Sequence, residues 1–238
     1  MSDKAAGTAG HRIVSREAWL AARTAFLAKE KEFTRLRDEL SRARRELPWV
    51  RVEKEYLFDG PDGKETLAGL FRGCRQLVVY HFMFHPDASE GCKHCSFWAD
   101  SFDGVDVHLR HRDVSFLAVS RAPVAKIQAF ERRMGWRFKW VSSFGSDFNH
   151  DYHVSFTPEQ VAGEAVYNYA KGKVMSEREG LSVFIKDDAG VVYHSYSCYA
   201  RGIDLLNTAY NVLDLVPKGR DEADGPQTWV RHHDRYQD

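Results

Sequence analysis

The sequence has few cysteines, no excess of either charge and no long apolar run, and each of these absences argues against one class of protein or partner. Only four of the 238 residues are cysteine, too few for the dense disulfide framework of a small secreted domain. Basic and acidic residues both number 34, so the charge favours neither nucleic acid nor a membrane surface as a partner. The longest apolar runs, such as "LVVYHFMF" at 77–84, are too short to span a bilayer.

What remains is the composition of an ordinary globular protein, 43% apolar and 29% charged, which can build a real core. The beginning, "MSDKAAGTAGHRIVS", is small and polar and lacks the apolar centre of a secretory signal. We therefore expect residues 1–14 to be disordered and the protein to be cytoplasmic. In a reducing cytosol the four cysteines would mostly be thiols.

A long helix is predicted for residues 15–48, because Ser15 can cap its start and Pro48 stops it. One apolar stripe recurs at every seventh residue: Trp19, Phe26, Phe33, Leu40 and Leu47. The second apolar position of a coiled-coil heptad is weak. The pattern favours docking of this helix on a domain surface, and the alternative is the seam of a homodimer.

Residues 49–238 are expected to form one domain with an irregular carboxyl-terminal tail. Two continuous apolar strands, "RQLVVYHFMF" and "DVSFLAVSRAP", flank a helical stretch at 96–111. An amphipathic helix, a mostly irregular region at 140–160, a hairpin that turns at 187–190 and a last helix, "GIDLLNTAYNVLDLV", follow. This order predicts an α/β fold with a mixed central sheet and helices on both faces.

Cys92 and Cys95, in "EGCKHCSFWAD", stand where a buried strand gives way to a helix. The spacing puts the two sulfurs one helical turn apart, close enough for a disulfide. Free amides of the first turn and the helix dipole favour a thiolate on Cys92, and the side chains of Lys93 and His94 add to the effect. A stabilised thiolate makes such a pair more oxidising. The motif therefore predicts a working redox couple.

Metal and haem sites also use closely spaced cysteines, but this chain lacks the residues that would complete either one. A structural zinc site needs two more ligands, and Cys74 and Cys198 are single cysteines without paired spacing. Covalent haem needs a histidine after the second cysteine, where Ser96 stands. Two incidental cysteines in a helix remain an alternative. We expect no metal and no bound cofactor.

Four segments carry a resemblance to a known family: "EGCKHCSFWADSFDG", "SRAPVAKIQAFERRMGWRFKWVSSFGSDFNHD", "YHSYSCYARGIDLLNTAYNVLDLVPKGRDE" and "RHHDRY". They resemble a bacterial family of thioredoxin-like proteins, catalogued as a domain of unknown function and described as predicted dithiol-disulfide oxidoreductases. The resemblance implies a three-layer thioredoxin-like fold, with Cys92 as the attacking cysteine and Cys95 as the resolving one. For a working redox pair of this kind we expect a disulfide or a thiol, of a protein or a small molecule, as substrate.

The sequence departs from thioredoxins where those proteins place a cis-proline, because the matching segment "SEREGLSVFIKD" has Gly180 and no proline. Residues 59–84 look more like the opening of a peroxiredoxin. Ser89 stands three residues before Cys92, as in that class, and Arg121 or Arg201 could stabilise the developing charge. A thiol peroxidase with Cys92 as the peroxidatic residue is therefore one alternative function. A non-catalytic binding module on a thioredoxin scaffold is another.

Three further residues are predicted at the rim of the active site. Trp98 follows the second cysteine within the predicted helix. Asp147 and Asn149 belong to the polar loop 142–153, "SSFGSDFNHDYH". Loops carry function disproportionately, so this one is a candidate wall of the site.

Overall fold

The structure is a computed structural model that describes residues 10–237. They separate into two compact units, one that ends at Leu47 and one that begins at Pro48. Disorder is predicted for residues 1–14, and residues 1–9 of this segment lie outside the described residues. No helix between residues 10 and 237 is both long enough and apolar enough to cross a membrane.

The first unit is built on a long helix, α1 (Arg16–Arg45). It begins as predicted, because the Ser15 hydroxyl accepts a hydrogen bond from the amide of Ala18 at 3.2 Å. Three arginines in its last turn face the negative end of the helix dipole. No residue of α1 is buried. Whether its apolar stripe docks on the domain or pairs with a second copy stays a prediction.

The second unit is built on a mixed β-sheet. Its strands in chain order are β1 (Val50–Arg51), β2 (Leu57–Gly60), β3 (Gly63–Thr66), β4 (Gln76–His81), β5 (Val114–Ser120), β6 (Lys139–Ser142), β7 (Ala165–Tyr167), β8 (Ala170–Gly172), β9 (Gly180–Lys186) and β10 (Val192–Tyr199). Eight of them form one sheet in the order β1-β10-β9-β4-β5-β6-β2-β3, and β7 pairs with β8 separately. The β4–β5 and β5–β6 pairs are parallel, whereas β9 runs antiparallel to both β4 and β10.

The second unit also contains helices. They are α2 (Lys93–Ala99), α3 (Asp106–Arg110), α4 (Val124–Met134), α5 (Phe148–Asp151), α6 (Pro158–Ala162) and α7 (Thr208–Leu213), with 3-10 turns at Gly69–Phe71, Ala200–Leu206 and His233–Arg235. The predicted hairpin is present, because β9 and β10 are joined across residues 187–191.

The central strand β4 shows why the sheet is buried on both faces. Leu77 and Val79 contact a core that the 3-10 turn at Gly69–Phe71 and α5 complete. Val78 and Tyr80 point to the other core, which side chains of α2, α4 and α7 fill. Successive side chains of a strand alternate between faces, so a continuous apolar run suits a strand with a core on each side. The predicted three-layer α/β fold, with a mixed central sheet and helices on both faces, is confirmed.

The helix expected at 96–111 is wrong in its extent. It is two helices, α2 and α3, separated by turns. Gly104 has φ of 88°, a left-handed conformation that interrupts the helix. The Asp103 carboxylate accepts a hydrogen bond from the amide of Arg137 at 2.8 Å and holds the turn in place.

Two other boundaries also differ from the sequence prediction. The region expected to be mostly irregular at 140–160 contains α5 and most of β6, both short and therefore weak in pattern. The last predicted helix divides at Asn207, whose side chain accepts from the amide of Tyr210 at 2.9 Å and caps α7.

Candidate functional site

Cys92 stands between β4 and α2, at the residue where the helix begins. Its backbone is extended, and the carbonyl accepts from the amide of Ser96 at 2.9 Å. Its own amide donates to the carbonyl of Met83 at 3.1 Å, which ties the loop back to the end of the strand. Gly91 precedes it in a tight space, because an added Cβ would lie 2.7 Å from the ring of Phe130. The packing of the loop therefore fixes where the helix starts.

The two cysteines differ in exposure. Cys92 is partly exposed, whereas Cys95 is buried with 2% of its surface exposed. Both are free thiols. The amide of Met83 donates to Cys95 Sγ at 3.4 Å, and the hydroxyl of Tyr80 donates to the Cys95 carbonyl at 3.2 Å. One thiol is therefore partly open to solvent, and the other is held in place by the end of β4.

The surroundings move the pKa values of the two thiols in opposite directions. The thiol of Cys95 donates to the Cys92 sulfur and, with the His94 side chain and the Cys95 amide, lowers the pKa of Cys92 from 9.0 to about 4 against the opposing effect of burial. Burial raises the pKa of Cys95 well above its usual range, and the negative charges of Cys92 and Glu179 raise it further. Cys92 is therefore the thiolate and Cys95 the proton-bearing partner.

A cavity of about 690 Å³ opens beside this pair. His94, Cys95 and Trp98 lie in its wall, whereas Cys92, at the start of the same helix, does not. The indole of Trp98 is buried and donates to the carbonyl of Ile203 at 3.0 Å, so it is a fixed part of that wall. Arg201, one of the two arginines predicted for the site, also lines the cavity and pairs with Asp204 at 3.2 Å.

The structure does not bring the other predicted residues to this cavity wall. Arg121 pairs with the buried carboxylate of Glu177 at 3.1 Å. Asp147 pairs with Lys54 at 2.7 Å. Asn149 is buried and its side-chain oxygen accepts from the hydroxyl of a neighbouring serine at 2.8 Å.

Two predicted residues flank the pair without lining the cavity. Ser89 belongs to a separate, shallower groove, which it shares with Glu90 and Arg133. Lys93 is the first residue of α2, and its effect on the thiolate stays a prediction. The loop 142–153 contributes no residue to the wall of the cavity.

Several residues at the site gave no sequence signal. Arg178 and Glu179 line the cavity immediately before β9. No peptide bond between residues 10 and 237 is cis, and Gly180 begins β9 where an added Cβ would lie 2.6 Å from the ring of Tyr199. His232 donates to the carbonyl of Gly91 at 2.9 Å, so the carboxyl-terminal tail supports the cysteine loop. The segment "RHHDRY" contains this residue, but its spacing does not reveal the contact.

In the part of the chain that the structure describes, no three His, Cys, Asp or Glu side chains are grouped to hold a metal ion.

Solved structures resemble this chain at low sequence identity. No curated protein matches the chain. Among solved structures, a mutant of Xanthomonas campestris peroxiredoxin Q is 15% identical, with 66% of this chain and 90% of that chain covered and a TM-score of 0.43. The peroxidoxin BcpB of Mycobacterium tuberculosis is 16% identical, with 70% and 97% covered and a TM-score of 0.43. A secreted Mycobacterium tuberculosis disulfide oxidoreductase homologous to E. coli DsbE is 14% identical, with 61% and 83% covered and a TM-score of 0.37.

Likenesses this distant carry no argument about what the chain does. A family model gives a firmer result, because it matches residues 8–236, nearly the whole chain. The chain belongs to this family, described as bacterial protein of unknown function (DUF899).

Proposed function

We propose that the protein is a thiol-disulfide oxidoreductase in which Cys92 attacks and Cys95 resolves. One observation carries the proposal: a partly exposed thiol of lowered pKa lies against a buried thiol of raised pKa. When the environments of two neighbouring titratable groups shift their pKa values in opposite directions, the two groups take different roles in the reaction. A thiolate is the nucleophile in disulfide exchange, and the buried thiol, which keeps its proton, reacts only in the second step.

The proposed reaction balances without a cofactor. The Cys92 thiolate attacks one sulfur of a substrate disulfide, forms a mixed disulfide and expels a substrate thiolate, which takes a proton from water. Cys95 then gives its proton to water and attacks the Cys92 sulfur, which releases the second substrate thiolate. Two electrons pass from the dithiol to the substrate, and the protein is left with a Cys92–Cys95 disulfide.

The coupling of the two thiols favours this order. The thiolate charge on Cys92 is one of the causes that raise the pKa of Cys95. Formation of the mixed disulfide removes that charge, so the pKa of Cys95 falls only after the substrate is attached. His94 acts before the substrate is attached, because its side chain helps to stabilise the thiolate of Cys92.

Trapping tests this proposal. A Cys95→Ser variant removes the resolving thiol, so it should accumulate a mixed disulfide through Cys92 when it is mixed with a small disulfide. Mass spectrometry of the alkylated protein identifies the adduct and its position. The matched control is Cys74→Ser, which removes a buried thiol outside the cavity wall and should accumulate no adduct. Failure of Cys92 to form any adduct would refute the proposal.

The thiol peroxidase predicted as an alternative uses the same nucleophile. It needs a cation beside the peroxide oxygens, and of the two arginines predicted for that role Arg201 lines the cavity. Peroxide consumption by the reduced protein decides between the two activities. Rapid consumption that is lost in Cys92→Ser would favour the peroxidase, whereas inertness towards both peroxide and disulfides would favour the non-catalytic binding module.

A further inference from the structure

The cavity beside the cysteine pair has the size of a small-molecule site. Its volume of about 690 Å³ lies within the range of about 300–1,000 Å³ that such sites occupy. Apolar parts of the wall come from Met83, Trp98 and Ile203. A pocket of this kind binds a compact ligand, and its charged groups decide which one.

Most charged side chains of the wall are already paired with each other. Arg220 forms two hydrogen bonds of 2.8 Å with the carboxylate of Asp214. Arg201 pairs with Asp204 at 3.2 Å. The carboxylate of Glu222 accepts from a tyrosine hydroxyl, an indole and a backbone amide at 2.7, 3.0 and 2.8 Å. These groups have their hydrogen-bonding needs met within the protein.

Arg178 is the exception. Its guanidinium lies over the ring of Tyr167, 4.9 Å from the centroid, and its buried Nε has no hydrogen-bond partner among residues 10–237. No carboxylate of these described residues lies within ion-pair distance of it. A buried donor without a partner is costly, and a planar guanidinium is shaped to bind a carboxylate through two parallel hydrogen bonds.

The carboxylates of the wall limit the charge of the anion that the cavity can bind. Glu179, Asp204, Asp214 and Glu222 all line the same cavity, so a dianionic group would meet more repulsion there than a single carboxylate would. The tyrosine beneath Arg178 is itself fixed, because its hydroxyl donates to the Glu179 carboxylate at 3.1 Å. The guanidinium therefore has a rigid support from which to hold a ligand.

We propose that the substrate is a small disulfide that carries a carboxylate, and that Arg178 binds the carboxylate while Cys92 attacks the sulfur. This inference rests on the proposed oxidoreductase function and names its substrate class. The electron balance is the one already given: the dithiol supplies two electrons, the substrate disulfide is the oxidant, and two substrate thiols leave as Cys92 and Cys95 close their disulfide.

Three symmetric disulfides with the same two-carbon arms test the proposal: dithiodipropionate is anionic, bis(hydroxyethyl) disulfide is neutral and cystamine is cationic. Reduced protein is mixed with each, quenched and alkylated, and the loss of free Cys92 and Cys95 is followed by mass spectrometry. Each rate is divided by that of a free cysteine peptide with the same reagent, which removes differences in leaving group. We expect the normalised rate of the anionic reagent to exceed that of the neutral one about tenfold.

Variants assign the preference to a residue. In Arg178→Gln the ratio of anionic to neutral rates should fall about tenfold. Arg178→Lys should retain part of this ratio, because lysine keeps the charge but cannot form the two parallel hydrogen bonds of a guanidinium. The control is Arg132→Gln, which removes the same charge from an exposed position on α4 and should keep the wild-type ratio. If Arg178→Gln does not fold, added salt serves instead, since it should slow the anionic reagent and spare the neutral one.

The outcomes separate this inference from the proposed function. If the neutral reagent fails to oxidise the pair in any variant, the oxidoreductase function itself is refuted. If the neutral reagent reacts but the anionic one is no faster, or if the cationic one is fastest, the oxidoreductase stands and the assignment of Arg178 to a carboxylate is overturned.

Discussion

The lowered pKa of Cys92 predicts a reaction rate that hardly depends on pH. The perturbation is a change of pH from 8 to 5 during reaction of the reduced protein with a neutral small disulfide. Cys92, whose pKa is lowered to about 4 chiefly by the Cys95 thiol, stays mostly thiolate across this range. A free cysteine, with a pKa of about 8.5, loses nearly all of its thiolate.

The expected magnitude combines two opposing effects. At pH 5 about 90% of Cys92 is thiolate, against about 0.03% of a free cysteine. The less basic thiolate is also a weaker nucleophile, by about 100-fold for a Brønsted coefficient of about 0.45 and a pKa difference of about 4.5. Cys92 should therefore react about 30-fold faster than a free cysteine at pH 5 and about threefold slower at pH 7.

The assay measures initial rates with bis(hydroxyethyl) disulfide between pH 5 and 8, with a free cysteine peptide as reference. The free peptide should slow about 700-fold over this range and Cys92 less than about twofold. Two substitutions test the cause. Cys95→Ala removes the donor to the Cys92 sulfur and should restore a pH-dependent rate, whereas Cys95→Ser keeps a hydroxyl donor and should restore less of it.

The shape of the profile is the decisive readout, because access to a partly buried sulfur changes the absolute rate at every pH alike. A Cys92 rate that climbs about tenfold per pH unit from 5 to 8, in parallel with the free peptide, would refute the thiolate. Equal profiles for Cys95→Ala and wild type would refute the assignment of the shift to the Cys95 thiol.

Three further predictions concern the redox pair and the core. The reduction potential should lie about 80 mV above the value of about −270 mV for thioredoxin, because a thiolate of low pKa stabilises the dithiol; a value at or below −270 mV in a glutathione buffer would contradict this. Gly91→Ala should lower the free energy of urea unfolding by about 1–3 kcal/mol through overlap with two phenylalanine rings. Gly172→Ala, whose Cβ would meet nothing within 4 Å, is the control and should change it little. Burial lowers the pKa of His81 from 6.5 to about 3, so acid favours the unfolded state, which binds the proton. The free energy of unfolding is compared at pH 7 and pH 5 in a Cys92→Ser background. Its decrease between these pH values should be about 2 kcal/mol smaller in His81→Gln than in the parent. Equal decreases would show that His81 does not resist protonation.

The candidate nucleophile was predictable because its signal is local. The spacing of Cys92 and Cys95, the apolar strand before them and the helical pattern after them lie within one short stretch of chain. Local signals failed where the contact is distant in sequence. Asp147 and Asn149 looked like rim residues because they are polar and in a loop, yet their partners are Lys54 and a buried serine.

Residues that complete the site come from distant parts of the chain. Arg178 and Glu179 reach the cavity because β9 lies beside β4 in the sheet, although about a hundred residues separate the two strands in sequence. His232 supports the loop at Gly91 from a distance of 141 residues along the chain. Neither has a periodicity or a spacing that marks it, so only the arrangement of strands and tail reveals them.

The sequence by itself determined the layered α/β architecture, the start of the long amino-terminal helix and the place of the cysteine pair between strand and helix. Each follows from apolar periodicity, caps and breakers acting over a few neighbouring residues. Tertiary structure alone decided which thiol is buried, what lies beside it and which arginine of the cavity wall has a buried Nε without a hydrogen-bond partner among the described residues. Burial and electrostatic environment depend on which distant segments pack together, and that packing sets the pKa values of the two thiols and the charge of the cavity that Cys95 lines.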